Sequence, residues 1–197
     1  MRLQLLALLS LPLLSFASQE QQIVMSNDVT TDYSPATNTK PTLADLLTIE
    51  PSASIFYSYA RELELSAMFS EPSTRSTLFA PTNKAVMALA RKPHQGASMP
   101  SDEGIHISEE EFDKLSKQNV ERWVSAHIVP KSPISLESEE QPTMLDGKSI
   151  SFTPITKNDG QGPEWSRVTL EDGVRIVDMK EGLNGVLYLI DGTIAYE

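Results

Sequence analysis

The periodicity of the apolar residues changes at Pro130, and this change constrains the fold more than any other feature of the chain. Before Pro130, apolar residues recur at helical spacing, as in the stripe formed by Val120, Trp123 and Val124. After it, alternation with period two and turn dipeptides such as Asp172-Gly173 take over. Helices followed by strands, without regular alternation of the two, predict an α+β fold rather than a parallel α/β sheet.

Residues 1–17 have the pattern of a secretory signal peptide. Arg2 is the only charged residue, residues 5–14 are almost wholly apolar, and residues 15–17 offer small residues at a cleavage position. The apolar run is shorter than the roughly 20 residues that span a bilayer. The alternative, an N-terminal core helix, is disfavoured by Pro12 and by the polar stretch that follows. We therefore expect the chain to enter the secretory pathway.

The remaining chain divides into a leader and one domain. Residues 18–40 are polar and lack sustained periodicity, which predicts a flexible leader. Residues 41–197 carry the periodic segments and have roughly the size of one domain. Within them, residues 91–107 hold two prolines and two glycines, which predict a loop insertion.

Charge and cysteine content exclude several classes of function. The net charge is −11, so the surface repels phosphate backbones and no nucleic-acid partner is expected. The chain contains no cysteine, which excludes disulfides, cysteine nucleophiles and thiolate metal sites. A domain of this size can form a core without disulfides. We expect a soluble monomer that needs no cofactor.

Two capping boxes predict helix starts. Thr42 is followed three residues later by Asp45, and Ser108 is followed by Glu111 at the same spacing. In each case the hydroxyl can accept a hydrogen bond from the backbone N–H of the acidic residue. Helices are therefore expected to begin at these two points.

A strand is expected to turn directly into a helix at Pro81. The preceding residues, 76–80, have the composition of a strand. Pro81 has no N–H to give to a sheet, so the strand is expected to end at Ala80. Thr82 or Asn83 can then cap the first turn of a helix.

Turn dipeptides place the strands of the second half. Asp172-Gly173 lies between apolar alternations and predicts a hairpin. Asn184-Gly185 introduces a strand over residues 186–190, and Asp191-Gly192 leads into a last strand over residues 193–196.

Three segments, in order, resemble the fasciclin domain. Residues 77–85 (TLFAPTNKA) are similar to the first signature of the family, residues 123–130 (WVSAHIVP) to its internal helix ending in His-x-Val-Pro, and residues 184–192 (NGVLYLIDG) to its second signature. Their spacing fits one complete domain over residues 41–197. The residues that carry the resemblance, all expected to be structural, are Phe79, Pro81, Thr82, Asn83, His127, Asn184, Gly185, Asp191 and Gly192.

The resemblance implies a compact β-wedge or sandwich with helices packed at its N-terminal half. It also implies a non-catalytic role in adhesion or cell-surface contact, with a protein or glycan as partner. Small fungal and microbial members are secreted, wall-associated or vacuolar. Tyr188 stands where the family commonly has His, and Ala126 precedes His127 where animal members implicated in integrin binding have Tyr. An integrin partner is therefore not expected.

The same resemblance leaves the destination of the chain open. The sequence ends at Glu197, directly after the last predicted strand, without an apolar tail. We therefore expect neither a lipid anchor nor a membrane span. The vacuole lumen, the cell wall and the extracellular space are all compatible with a cleaved signal.

The turn residues of the signatures are interpreted as elements of the fold. The glycines, Gly185 and Gly192, are expected to supply positive φ angles. The side chains of Asn83, Asn184 and Asp191 are expected to bond neighbouring backbone amides.

The histidines are the residues most suggestive of chemistry. His127 could titrate near neutral pH or bind a metal, but it lies on an apolar helical stripe, so we favour a packed structural role. His94 and His106, with Asp102 and Glu103 between them, could form a weak metal site in the predicted loop. Zinc ligands are usually more closely spaced on ordered elements, so no metal is expected.

Two hypotheses for function follow. The first is a non-catalytic interaction protein of the secretory pathway. The alternative is a secreted or vacuolar hydrolase of unknown substrate, supported only by the signal peptide and by scattered Asp, Glu and His residues. The chain contains no Gly-x-Ser-x-Gly run, no P-loop and no Gly-x-Gly-x-x-Gly run, so no enzyme motif favours the alternative.

Overall fold

The structure, a computed structural model, describes residues 40–96, 108–137, 140–155 and 162–196. The predicted signal peptide, the predicted leader up to residue 39 and residues 97–107 of the predicted insertion lie outside the described residues. Everything described below belongs to one compact unit.

Helices dominate the first half of the described chain and strands the second. Within the described residues the α-helices are Leu43–Ile49 (α1), Ser54–Ala60 (α2), Ala67–Ser70 (α3), Asn83–Ala88 (α4) and Glu109–Ala126 (α5). The β-strands are Ser76–Pro81 (β1), Ile128–Val129 (β2), Gln141–Pro142 (β3), Ser149–Ile150 (β4), Thr153–Pro154 (β5), Val168–Thr169 (β6), Ile176–Glu181 (β7) and Gly185–Ile190 (β8). Short 3₁₀ turns lie at Pro51–Ala53, Glu64–Ser66, Pro93–Gln95 and Glu164–Arg167. The predicted α+β class is confirmed.

A mixed four-stranded sheet forms the centre of the domain, with strand order β2-β1-β8-β7. The central strands β1 and β8 run parallel and pair along their whole length, from Ser76 opposite Gly185 to Pro81 opposite Ile190. Strand β2 pairs antiparallel with β1, and β7 pairs antiparallel with β8. The pairs β3–β4 and β5–β6 are separate two-stranded ladders.

The central strands separate two apolar cores. Successive side chains of a strand point to opposite faces. Leu78 and Leu187 therefore join the core formed by helices α1 to α5, whereas Phe79 and Ile190 join a second core. The second core is completed by residues of the short strands and of the C-terminal segment. Both faces of β1 and β8 are consequently buried, which explains why these strands are almost continuously apolar.

The helix starts agree with the predicted caps. The hydroxyl of Thr42 accepts from the backbone N–H of Asp45, whose carboxylate accepts from the backbone N–H of Thr42, which completes the capping box. The hydroxyl of Ser108 accepts from the backbone N–H of Glu111 at 3.2 Å. From this cap α5 continues without interruption to Ala126.

The predicted positions of the strands need correction at three places, of which the first two are the end of β1 and the hairpin. Strand β1 extends through Pro81, because the ladder bond at this position is donated by the next residue, from Thr82 N–H to the Ile190 carbonyl at 2.9 Å. The hairpin around Asp172-Gly173 amounts to one bridge, between Thr169 and Arg175. Beyond this bridge, β6 turns away to pair with β5, and β7 pairs with β8.

The strand predicted over residues 193–196 is also wrong, since these residues form no strand. The backbone N–H of Ile194 donates to a ring nitrogen of His127 at 3.0 Å. This amide is therefore not available for a sheet.

Gly185 is required by a close approach between β8 and β1. A Cβ atom placed on Gly185 would lie 1.9 Å from the Ser76 carbonyl oxygen and 2.9 Å from a Leu43 methyl group. The first of these contacts involves backbone of the paired strand, which cannot move away without breaking the ladder. The φ angle of Gly185 is not positive, so the expectation of a left-handed turn at this residue is wrong. Glycine is needed at this position because a side chain would collide with the backbone of β1.

Replacement of Gly185 by alanine is therefore expected to lower the free energy of unfolding by about 3 kcal/mol, because it forces the two central strands apart. The measurement is urea-induced unfolding followed by circular dichroism. Gly147→Ala is the matched control, since Gly147 has a φ of 75° but no atom near its missing Cβ. It should cost only about 1 kcal/mol, from backbone strain. Equal losses in the two variants would contradict the close-approach argument.

Candidate functional site

The three segments that carry the fasciclin resemblance meet around the ends of the central sheet. Residues 77–83 form β1 and the start of α4, residues 184–192 form β8 and the turn after it, and residues 123–130 form the end of α5 and β2. Strand β1 lies between β2 and β8, so all three segments are in contact.

The side chain of Asn184 joins three elements inside the core. It is completely buried. Its Oδ1 accepts from the backbone N–H of Leu43 at 2.9 Å, at the start of α1. Its Nδ2 donates to the carbonyls of Phe69 at 3.0 Å, Glu71 at 3.1 Å and Met68 at 3.2 Å, at the end of α3. One amide thus satisfies backbone groups at the termini of two helices.

Asn83 has the equivalent role at α2. Its Oδ1 accepts from the backbone N–H of Ile55 at 2.9 Å, and its Nδ2 donates to the Pro51 carbonyl at 2.9 Å and to the Ser54 hydroxyl at 3.0 Å. The cap of its own helix is supplied by Thr82, whose hydroxyl accepts from Ala85 N–H. Because Asn83 and Asn184 bond backbone distant in sequence, the expectation that they bond neighbouring amides is wrong.

Asp191 and Gly192 fix the turn after β8. The carboxylate of Asp191 accepts from the backbone N–H of Arg175 at 2.7 Å and from its Nε at 3.2 Å. These bonds also cross to another segment instead of closing a local turn. A Cβ atom on Gly192 would lie 2.5 Å from a Val174 methyl group, and its φ angle is not positive. Glycine is therefore needed at residue 192, as at residue 185, because the neighbouring atoms leave no room for a side chain.

His127 is enclosed in the core, with both ring nitrogens in hydrogen bonds. Its Nδ1–H donates to the Trp123 carbonyl at 2.7 Å, and its Nε2 accepts from Ile194 N–H at 3.0 Å. The imidazole must therefore be neutral, because a protonated ring would have no acceptor role for Nε2. Burial is the main cause that lowers its pKa, to about 4; the Trp123 carbonyl opposes the shift, and the charge of Lys148 adds to it.

Phe79 belongs to an aromatic group in the second core. Its ring is stacked on that of Tyr188, with centroids 5.3 Å apart and an angle of 17° between the planes. Phe152 packs against Phe79 at 5.9 Å. Tyr188, which stands where the family commonly has histidine, therefore acts as a core residue here, and burial raises the pKa of its hydroxyl.

A partly buried ion pair between Lys180 and Glu50 connects the edge strand β7 to the helical layer. Lys180 on β7 contacts the carboxylate of Glu50, which also accepts from the backbone N–H of Ser52 at 3.0 Å. Burial alone would raise the pKa of Glu50, but the hydrogen bonds from Lys180 and Ser52 lower it. The same hydrogen bond raises the pKa of Lys180. The pair is consistent with a structural attachment.

The described residues contain no group of three His, Asp or Glu side chains that could hold a metal ion. His94 contacts the hydroxyl of Tyr59, with Nδ1 and Oη 3.2 Å apart. The other members of the metal site considered above, Asp102, Glu103 and His106, lie outside the described residues.

Among the described helices, none is long and apolar enough to cross a membrane.

Among the described residues, two concave surfaces are lined mostly by residues outside the signature segments, and sequence reasoning singled out neither. One, of about 390 Å³, lies beside Tyr59, His94 and Val120 and has largely apolar walls. The other, of about 570 Å³, lies between α5, the turn at residues 144–148 and Tyr196. Most of their polar residues are on the surface of helices or turns, where polar side chains are the rule and carry no sequence signal.

Comparison with known proteins confirms the resemblance. The fasciclin domain family model matches residues 51–195. A FAS1 domain-containing protein of Aspergillus fumigatus is 31% identical to the chain over 165 residues, covering 80% of the chain and 64% of the relative. A FAS1 domain-containing protein of Emericella nidulans is also 31% identical, over 163 residues, covering 80% of the chain and 63% of the relative. A FAS1 domain-containing protein of Saccharomyces cerevisiae is 27% identical over 167 residues, covering 77% of the chain and 61% of the relative. The chain thus spans less than two thirds of the length of these relatives.

A solved structure also matches. It is that of a FAS1 domain pair from the insect cell adhesion molecule fasciclin I, with a TM-score of 0.51 and 14% identity. The match covers 79% of this chain and 51% of the solved one. At this identity the similarity concerns the fold alone.

Substitution of Asn184 by aspartate is expected to destabilise the domain by about 3 kcal/mol or more. The new carboxylate is nearly isosteric, but it loses the N–H donors and faces three carbonyl oxygens in a buried site. Asn119→Asp is the matched control, because among the described residues the partly buried Asn119 amide makes one bond, to the His94 carbonyl at 3.3 Å. The control should cost about 1 kcal/mol in urea-induced unfolding. Similar losses would argue against the proposed role of Asn184.

The neutral state of His127 predicts a pH dependence of stability. The folded-state pKa of about 4 lies below the ordinary 6.5, so below pH 6.5 the unfolded state binds a proton that the folded state does not. The contribution of this residue to stability is complete above pH 6.5 and is lost as the pH falls to about 4. The total loss is about 3 kcal/mol, at roughly 1.4 kcal/mol per pH unit.

The direct measurement is an NMR titration of the three histidine rings in the unmodified chain, one of which should have its midpoint near pH 4. Unfolding at pH 7 and at pH 4.5 then tests the linkage. His127→Phe should reduce the difference between the two pH values, and His94→Gln should leave it unchanged. A titration in which all three histidines have midpoints near pH 6.5 would refute the prediction.

Proposed function

The chain belongs to the fasciclin domain family, and on this premise we propose that it is a non-catalytic interaction protein of the secretory pathway. Proteins of this family are generally adhesion-type domains without enzymatic activity. In the proposal, the surface of the folded domain binds a protein or glycan partner outside the cytosol.

The observation that carries the proposal is the use that the chain makes of its signature residues. The polar groups of Asn83, His127, Asn184 and Asp191 are engaged in hydrogen bonds within the domain. These bonds join helix ends, strands and turns. Residues that recur in the family signatures therefore support a scaffold, and differences of function between members are left to the exposed surface.

The solved relative supports a role in contact between molecules. It comes from a cell adhesion molecule and shares the fold of this chain. Its sequence identity is too low for a partner to be carried over, and the curated relatives are longer than the matched region. The identity of the partner is accordingly part of the proposal.

The location in the secretory pathway rests on the pattern of residues 1–17. A charged start, a short apolar run and small residues at its end are typical of a signal that is cleaved during export. The destinations compatible with it are the vacuole lumen, the cell wall and the extracellular space.

The alternative of a hydrolase requires titratable groups that face a substrate. His127 is the histidine that the sequence singled out as able to titrate near neutral pH, but both its ring nitrogens are bonded to backbone within the core. Neither nitrogen is available to take a proton from a nucleophile. No observation on the described residues favours this alternative over the interaction role.

The test is a binding measurement on intact cells of the organism that makes the protein. The full chain, labelled with a fluorophore, should bind saturably to the cell surface or to isolated vacuolar membranes, and unlabelled chain should compete. An unrelated protein of similar size and net charge controls for non-specific electrostatic adsorption. Pretreatment of the cells with protease or with periodate distinguishes a protein partner from a glycan partner.

Two outcomes would overturn the proposal. One is the absence of saturable binding to any of these preparations. The other is turnover of a substrate in a panel of esters, peptides and glycosides, with rates that scale with the concentration of purified chain.

A further inference from the structure

The cavity along α5 has the features of a preformed binding site. Its volume is about 570 Å³, within the range of roughly 300–1,000 Å³ that is usual for small-molecule sites. One wall is the polar face of α5, around Glu121 and Arg122. The opposite wall is the turn at residues 144–148, and Tyr196 closes one end.

The turn that forms the second wall is held rigidly. The hydroxyl of Thr143 accepts from Leu145 N–H at 3.2 Å and contacts the Lys148 carbonyl at 3.0 Å. Met144 N–H donates to the Ile128 carbonyl at 2.8 Å, which attaches the turn to β2. A wall held in this way loses little conformational entropy when a ligand binds.

The end wall is fixed to the helix. The guanidinium of Arg122 donates to the Tyr196 carbonyl at 3.3 Å. Two residues earlier, Ile194 N–H is bonded to the ring of His127, which directly follows α5. The buried histidine of the family signature therefore supports the cavity from below without lining it.

The charges around the cavity argue against an anionic ligand. Glu121 and Asp146 contribute two carboxylates and Arg122 one cation. The second cation, Lys148, is paired with Glu171 at 2.5 Å. Carboxylates therefore outnumber unpaired cations, and a phosphate or sulfate group would be repelled.

The polar groups favour a neutral ligand with many hydroxyl groups. Carboxylates offer only acceptors, the guanidinium offers only donors, and Gln118 and Ser125 offer both. A ligand whose groups are each donor and acceptor can satisfy all of them. Met144, which is 37% exposed, adds an apolar surface against which the C–H face of a sugar ring can pack.

From these observations we propose that the cavity between α5 and the turn at residues 144–148 binds a neutral saccharide. The proposal deepens the interaction role proposed above and rests on it, since it assigns the glycan partner to a particular surface. Glu121 and Asp146 accept hydrogen bonds from sugar hydroxyls on opposite walls, and Arg122 donates to ring or hydroxyl oxygens.

The test is a titration of the isotope-labelled full chain with neutral tetrasaccharides of glucose, mannose and N-acetylglucosamine, followed by NMR and calorimetry. At least one of them should bind saturably, with shifts confined to residues 118–125, 144–148 and 194–196. Glu121→Ala and Asp146→Ala should each weaken binding about tenfold, because each removes a charged hydrogen-bond acceptor. Within the described part of the chain neither side chain makes a hydrogen bond or ion pair, and thermal unfolding verifies that both variants fold.

Asp113→Ala is the matched control. Asp113 is exposed on the same helix and lies outside the cavity, so the variant makes the same change of charge without touching the site. Its saccharide affinity should equal that of the unmodified chain. Equal weakening by Asp113→Ala and Asp146→Ala would overturn the proposal, as would binding of inorganic phosphate or diglycine in place of every saccharide.

The cell-binding measurement separates this inference from the proposed function. If the unmodified chain and Asp146→Ala bind cells equally well and neither binds a saccharide, the cavity is not the site and the interaction role stands. If the unmodified chain binds neither cells nor saccharides, both proposals fail.

Discussion

The buried amide of Asn184 is the contact on which the organisation of the domain depends. It satisfies the first free N–H of α1 and the last free carbonyls of α3 from the start of β8. An unpaired polar group in the same place would cost several kcal/mol, so the helical layer and the sheet are stable only together. Asn83 makes equivalent hydrogen bonds at the start of α2. The hydrogen bonds of Asn83 and Asn184 thus hold the ends of the helices against the central strands.

The same junction demands that the strands approach closely. Because Asn184 is followed by Gly185, β8 can lie directly against the Ser76 carbonyl of β1. The pair then alternates its side chains into two cores, with Leu187 toward the helices and Tyr188 toward the short strands. His127 links these layers to the C-terminal segment through Ile194. Polar contacts between backbone and a few buried side chains thus determine where the apolar residues pack.

Sequence analysis predicted the features that depend on neighbouring residues. The cap at Thr42, the strand before Thr82 and the α+β class follow from spacing and alternation, and the family follows from three motifs in order. The long-range partners of Asn184, the bridge at Thr169 and the conformation of Ile194 did not follow, because each depends on a backbone group brought near by the whole fold. The cavity along α5 escaped notice because its polar residues look like ordinary surface residues until the turn at residues 144–148 is placed opposite them.

The parallel pairing of β1 with β8 has a consequence for how the protein is made. Asn184 is separated from its partner Leu43 by 141 residues, so a chain that emerges N-terminus first exposes α1 and β1 long before β8 exists. At the usual rate of synthesis the interval is on the order of ten seconds. During this time the apolar residues of β1 lack their partner strand, and contacts between distant residues form slowly in any case. The nascent chain therefore exposes apolar surface for a period in which it can associate with other proteins.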